Sequence, residues 1–242
     1  MTAIRTVRGT MPGLPGERDI AILDGDTHIS RWVEEARRLD HDQSTLPAIG
    51  MLITPESVVW DIGALIGDHT AFYASLARAV VAWEPCADSY ECLRQNMAHY
   101  SNVFCLQYAV GDGTRALIHE NPNAGARSLR ENATGFITVS LDDFVVDPLS
   151  GIGLGKPTLI KLDIEGWEVR ALRGAERTLR EYHPIIVCEV NCEALERAGT
   201  SPEELHALLT AHGYEMHDLF TGEGWFSDDP TRQFDVVARW RG

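Results

Sequence analysis

The stretch "VVWDIGALIGDHT", Val58 to Thr70, decides the fold. Its first residues are apolar and largely β-branched or aromatic, which suits a short strand buried on both faces. Asp61 stands near the strand tip, Gly63 and Gly67 follow, and a polar run from Asp68 opens a helix. Strand, glycine turn and helix in that order form the first unit of an open α/β sheet. In such sheets ligands bind beyond the C-terminal ends of the strands.

The pattern continues outward from this turn. "VVAWE" (Val80 to Glu84), "VFCLQYAV" (Val103 to Val110), "TLIKLDI" (Thr158 to Ile164) and "PIIVCEV" (Pro184 to Val190) read as further strands. Helices are expected over Asp68 to Arg78, Ala87 to Met97 and Trp167 to Leu179, the last interrupted near Gly174. "RALIHE" and "FITVSL" suggest a hairpin-like insertion. Ser201 in "SPEE" is an N-cap, with Pro202 at the first helical position, Glu204 three residues after the cap and Gly213 beyond the helix end. "YEMHDLF" and "FDVVARW" follow with no helix between them, as an antiparallel edge pair. Short apolar strands alternating with helices imply a mostly parallel sheet with helices on both faces. Residues 1–56 form an N-terminal extension with one helix, in which "ISRWVEEARRL" puts Ile29, Trp32, Val33, Ala36 and Leu39 on one face. Met1 to Arg18 reads as loose, and residues 57–242 as the main domain.

Composition bounds the partners. Of 242 residues, 21 are basic and 36 acidic, a net charge of −15. That balance argues against nucleic acid and against an anionic membrane surface. The 5 cysteines include no CxxC pair, which argues against structural zinc or a disulfide framework and fits a reduced cytoplasm. No apolar leader opens the sequence and no run reaches the length of a membrane span. A small-molecule acceptor is the expected partner, with self-association into a homo-oligomer left open.

The glycine turn limits the cofactor. A dinucleotide fingerprint reads GxGxxG, but Leu65 and Asp68 occupy the second and third glycine positions. Asp61 would also repel a phosphate. It suits an ammonium, which S-adenosylmethionine carries without any phosphate. Glu84 ends the second strand about 20 residues beyond Gly63, where a carboxylate accepts ribose hydroxyls from either type of cofactor. A nicotinamide-dependent oxidoreductase, or a cofactor-binding domain without turnover, are the alternatives.

"VVWDIGALIGDHT", "AWEP", "SLDDF", "IKLDIEGWEVRALRGAERTL" and "PIIVCEVN" together resemble the FkbM family of class I S-adenosylmethionine-dependent methyltransferases. The resemblance runs from Val58 to Leu219. It implies a Rossmann-like class I fold, with a mostly parallel seven-stranded sheet ending in an antiparallel C-terminal strand. It also implies O-methylation of a small molecule or sugar. It assigns Asp61, Gly63, Ala64 and Gly67 to the methionine part of the cofactor, Glu84 to the ribose, and Gln107 and Ala109 to the border of the adenine.

A hydroxyl acceptor must lose a proton, which calls for a base or a metal. Asp163 and Glu189 stand at the ends of the fourth and fifth strands, with Glu165 and Asn191 two residues beyond each. Asp163, Glu189 and Asn191 make one candidate site for Mg²⁺. A metal-free base or a substrate-binding role for the same carboxylates is the alternative. Lys161 shares a strand face with Asp163 and is expected to pair with it or to act near the acceptor oxygen. His69 and Thr70 open the first helix, within reach of a cofactor carboxylate, and His69 is also a candidate base. Asp24, Asp26, His28, Asp40, His41 and Asp42 are candidates for an acceptor lid. Trp225 and Phe226 are candidates for packing on the acceptor.

Overall fold

A computed structural model describes residues 2–145, 155–225 and 233–242. The chain divides into two compact units. The first comprises residues 1–108 and 120–127; the second comprises 109–119 and 128–242.

The first unit opens with an antiparallel hairpin, β1 (Ile4–Thr10) and β2 (Glu17–Leu23). The expectation of a loose Met1 to Arg18 is therefore corrected. "IRTVRGT" alternates outward arginine and threonine with inward Val7, and β2 buries Ile20, Ile22 and Leu23 completely or nearly so. Of the Gly and Pro residues behind that expectation, Pro12, Gly13, Pro15 and Gly16 lie in the turn between the strands and Gly9 lies in β1. Helices α1 (Ile29–Ala36) and α2 (Thr45–Gly50) follow. Then come β3 (Val58–Ile62), α3 (Asp68–Leu76), β4 (Ala79–Trp83), α4 (Ala87–Met97) and β5 (Val103–Leu106). The three strands pair in parallel, in the order β3-β4-β5. Asn96 of α4 locks the hairpin to this layer: its amide accepts from Ala21 N at 2.7 Å and donates to Ala21 O at 3.0 Å and Ile66 O at 2.8 Å.

The second unit begins with a three-stranded insertion of β6 (Arg115–His119), β7 (Ser128–Glu131) and β8 (Phe136–Ile137). The expected hairpin of "RALIHE" and "FITVSL" is present, and β7 adds a strand on the other side of β6. Next are β9 (Leu159–Leu162), α5 (Glu168–Arg173) and α6 (Glu176–Tyr182), separated at Gly174. Gly174 is required there, because an added Cβ would lie 2.0 Å from the carbonyl oxygen of Gly111. The unit closes with β10 (Ile185–Asn191), α7 (Cys192–Arg197), α8 (Pro202–Ala211), β11 (Tyr214–Asp218) and β12 (Gln233–Trp240). Ser201 caps α8 by accepting from Glu204 N at 3.2 Å. The strand order is β11-β12-β10-β9, with β9 and β10 parallel and β12 antiparallel to both its neighbours. The main sheet thus has seven strands, mostly parallel, with antiparallel C-terminal strands. This is the Rossmann-like methyltransferase arrangement.

The turn after β3 disfavours a side chain at its end. Gly67 has φ +91°, and a Cβ there would meet Leu93 Cδ1 at 2.8 Å and Met97 Cε at 2.9 Å. Gly67→Ala should lower stability by roughly 1–3 kcal/mol, chiefly from left-handed strain, with the flexible ends of Leu93 and Met97 giving way at smaller cost. Urea unfolding of the two proteins measures the difference, and an unchanged midpoint would contradict this account of the turn.

Candidate active site

In the first unit the site is built on the ends of β3 and β4. Every residue of β3 is buried, so Asp61 is carried into the interior with no exposure. Its Oδ2 accepts a hydrogen bond from the Thr70 hydroxyl at 2.6 Å, which ties the strand tip to the first turn of α3. Thr70 is thus committed to Asp61. Gly63 N and Ala64 N both donate to Trp83 O, at 3.0 and 2.9 Å, so the turn starts by folding against β4. Gly63 has φ +92° and Leu65 φ +49°.

Glu84 organises the rest of the turn. It is 5% exposed, and its two oxygens accept from Leu65 N at 3.0 Å and Cys86 N at 2.8 Å. Burial pushes its carboxyl up to about 7, against the opposing pull of those hydrogen bonds and of the Arg127 charge. An ionised carboxylate has about four acceptor positions, and the two amides and the adjacent Cys86 thiol leave room for a further donor such as a ribose hydroxyl. The chemistry of this buried acceptor beside a glycine turn fits the nucleoside end of S-adenosylmethionine.

His69 sits between two partners. Its Nδ1 is 3.4 Å from the Tyr73 hydroxyl, and its Nε2 is 3.9 Å from Asp42 Oδ2. Asp42 is fixed in turn by Ser44 Oγ at 2.8 Å and Thr45 N at 3.1 Å. His41, the residue before it, meets the rings of His28 and Trp32 edge-on at 5.0 and 5.1 Å. Burial, followed by His28, lowers the His41 pKa. Gln107 stands exposed just past β5. Ala109 packs in the second unit with Ala116, Leu129 and Trp167.

The second unit gathers the acidic strand tips. β9 and β10 are in register with Lys161 opposite Val187, so Lys161, Asp163, Val187 and Glu189 share one sheet face. Lys161 is 4% exposed, and its Nζ donates to Asp163 Oδ2 at 2.6 Å, the pairing the strand period implies. Oxygens of Asp163, Glu165 and Glu189 all lie within 4.8 Å of one another. Like charges so close cannot all stay ionised. The Asp163 charge, then burial, pushes Glu189 up to about 9, and burial, then Asp163, pushes Glu165 up to about 7.

The Asn191 side chain caps α7 by accepting from Ala194 N at 3.0 Å, and Glu165 joins Asp163 and Glu189 in the acidic group. Glu165 arrives there because its backbone is left-handed, φ +54°. Glu168 holds that loop, accepting from Ile164 N at 3.1 Å and Gly166 N at 3.2 Å. Gln233 donates to Glu189 Oε1 at 2.5 Å. Neither supporting residue was expected. Glu168 follows a loop glycine near a helix start, a weak capping signal. Gln233 is brought in by the pairing of β12 with β10, which no local pattern encodes. Trp225 stacks on His206 at 5.5 Å and tilts against Phe234, while Phe226 lies outside the described residues.

With this geometry in place, residues 61–216 match the model of the methyltransferase FkbM domain. The chain belongs to the FkbM methyltransferase family. It is a methyltransferase of the class that uses S-adenosylmethionine, which removes the nicotinamide alternative. It is 27% identical over 184 residues to the hexuronic acid methyltransferase AglP of Haloferax volcanii, covering 74% of this chain and 73% of that protein. It is also 27% identical over 213 residues to the AMB antimetabolite synthetase AmbE of Pseudomonas aeruginosa, covering 69% of this chain but 10% of that protein. The crystal structure of methyltransferase FkbM from Methylobacillus flagellatus KT shares the fold, with TM-score 0.51 and 20% identity, over 78% of this chain and 44% of that one. Among the described residues no helix is long and apolar enough to cross a membrane.

The acid group has a consequence for stability. Glu189 binds its proton more tightly when folded than the ordinary carboxylate does unfolded, so the native state holds more protons between about pH 4.5 and 9. Stability from this group falls as pH rises through that window. Glu189→Gln should therefore flatten the decline, gaining on the wild type as pH goes from 6 to 9. Urea midpoints at both pH values test this, and a parallel decline in the variant would contradict it.

Proposed function

We propose that the protein methylates a hydroxyl group of a small, uncharged acceptor, most simply a sugar or sugar-like molecule. The observation that carries the reading is the Asp163–Glu165–Glu189 group with Lys161 held on Asp163. A bound S-adenosylmethionine supplies an electrophilic methyl group, so the protein's work is alignment, exclusion of water and removal of the acceptor proton. Asp61, Gly63, Ala64, Gly67 and Glu84 of the first unit hold the cofactor in this reading. Asp163 accepts the hydroxyl proton, Lys161 orients it, and Glu189, protonated near neutrality, donates a hydrogen bond to the acceptor.

Likeness to a hexuronic acid methyltransferase supports a sugar. The acid group argues against a carboxylate as the methylated group here, since an anion would meet three carboxyl groups and a lysine already paired. A second reading is favoured by the same oxygens. Three carboxylates within 4.8 Å offer hard ligands for Mg²⁺, which would then lower the acceptor's pKa in place of the base. The reaction is read as cytoplasmic, in keeping with five free cysteines.

Residues 1–56 are read as an acceptor lid. Asp42 approaches His69 just past the glycine turn. A cavity of about 380 Å³ in the same unit is lined by Asp24, Asp26, Asn121 and Arg127 among others. The hairpin is too deeply packed to remove as a test, because β2 is part of the core.

Neutral sugars should be methylated in preference to the matching uronic acids. Asp163→Asn should lower kcat by about 100-fold or more, the usual contribution of a general base, while S-adenosylhomocysteine affinity is unchanged. Full turnover in that variant would contradict the assignment. Activity lost to EDTA and restored by Mg²⁺ would select the metal reading; activity indifferent to EDTA would select the base. The lid makes a separate prediction: His41→Ala should raise KM for the acceptor several-fold and leave S-adenosylhomocysteine binding intact. An unchanged acceptor KM would make the segment purely structural.

A further inference from the structure

The segment Glu120–Arg127 lies between β6 and β7 in sequence yet packs within the first unit. It is seated on the glycine turn. Ala124 N donates to Asp26 Oδ1 at 3.0 Å, and a Cβ added at Gly125 would stand 3.8 Å from Leu65 Cδ2 and 3.9 Å from Ile29 Cγ1. The segment ends in Arg127, whose side chain is only 9% exposed.

That guanidinium grips the start of α4. It donates to both oxygens of Asp88, at 2.8 and 3.2 Å, and to Ser89 Oγ at 3.2 Å, and its Nε is 3.1 Å from Glu120 Oε2. Asp88 and Ser89 form the first turn of the helix that begins just after Cys86. Cys86 N is one of the two donors that hold Glu84. A long way apart in sequence, Arg127 and Glu84 are therefore joined by one short stretch of backbone.

We propose that Arg127 is a positioning residue for the nucleoside end of the cofactor, fixing the first turn of α4 and, through it, Glu84. The proposal rests on the reading that Glu84 receives the ribose. Its physical basis is twofold. A planar fork bonded to both carboxylate oxygens of Asp88 fixes orientation as well as distance, which a lysine cannot do. The positive charge also opposes burial at Glu84, and ribose hydroxyls need the ionised carboxylate as acceptor. The groups facing Glu84 are few. They are the Cys86 thiol, kept protonated by burial and by Glu84 itself, the Leu65 and Cys86 amides, and Arg127, with Asp88 and Glu120 flanking the guanidinium. Asp88 is held well below the usual carboxylate range by Arg127 and Thr2, so its charge does not titrate near neutrality.

The test is calorimetric titration of the full-length protein with S-adenosylhomocysteine across pH 6–9. Wild-type affinity should rise with pH through about 7 and then level, because binding favours the ionised form of Glu84. Arg127→Gln should move that midpoint upward by about half a pH unit or more, and weaken binding at pH 7 by about threefold or more. Arg127→Lys should keep the wild-type midpoint, since the charge remains, yet bind about threefold or more weakly at every pH, since the fork is lost. A folded Arg127→Gln protein with wild-type midpoint and affinity overturns the proposal. If that variant does not fold, wild-type affinity in Arg127→Lys overturns it and weakened affinity with an unmoved midpoint supports it. Glu84→Gln separates the two claims. Unchanged affinity in that variant removes the ribose reading itself, whereas weakened affinity together with an indifferent Arg127→Gln removes only the role given to Arg127.

Discussion

One buried carboxylate ties together the loops that follow β3 and β4. Glu84 accepts from Leu65 in the turn after β3 and from Cys86 ahead of α4, and almost none of it reaches solvent. Hydrogen bonds to a charged group contribute about 1.5–3 kcal/mol, which offsets part of the cost of burying the charge. The offset is incomplete, and the carboxyl is pushed up to about 7. A group left in that state gains from any further donor. The fold thus holds two loops in shape with the same side chain that the proposed function assigns to the ribose. Removal of Glu84 should loosen Leu65, whose left-handed backbone persists because its amide is held.

The second unit shows the same economy with opposite emphasis. Asp163, Glu165 and Glu189 repel one another, and the fold keeps them together with a buried lysine, a glutamine from the last strand and a loop fastened by Glu168. Nothing in folding requires three carboxyl groups within 4.8 Å of one another. Perturbed acids set apart in their proton affinity are the arrangement that acid–base chemistry uses. Sites that disobey local rules at a cost to stability mark function in many folds.

Most of the architecture was legible because strand and helix periods differ and the strands are short and apolar. The edge pair β11–β12, the break at Gly174 and the cap at Ser201 all follow from local chemistry. The N-terminal hairpin was misjudged because its turn holds most of the Gly and Pro residues while the strands on either side mix arginine with valine and isoleucine. The Lys161–Asp163 pair could be read from a period of two. The cap that Asn191 gives α7 was not read, since an asparagine ahead of a helix serves as an N-cap as readily as a ligand. Arg127, Glu168 and Gln233 escaped altogether. Their roles depend on where a loop returns or how two strands register, and neither is written in a local pattern.

The central claim is that Glu84 braces the turn and receives the ribose at once. A crystal structure of the complex with S-adenosylhomocysteine tests it most directly. The account predicts that Glu84 keeps its bonds to Leu65 N and Cys86 N while both ribose hydroxyls donate to the same carboxylate. A complex in which the ribose is held by other groups, or in which Glu84 must release either amide to reach it, would contradict the account.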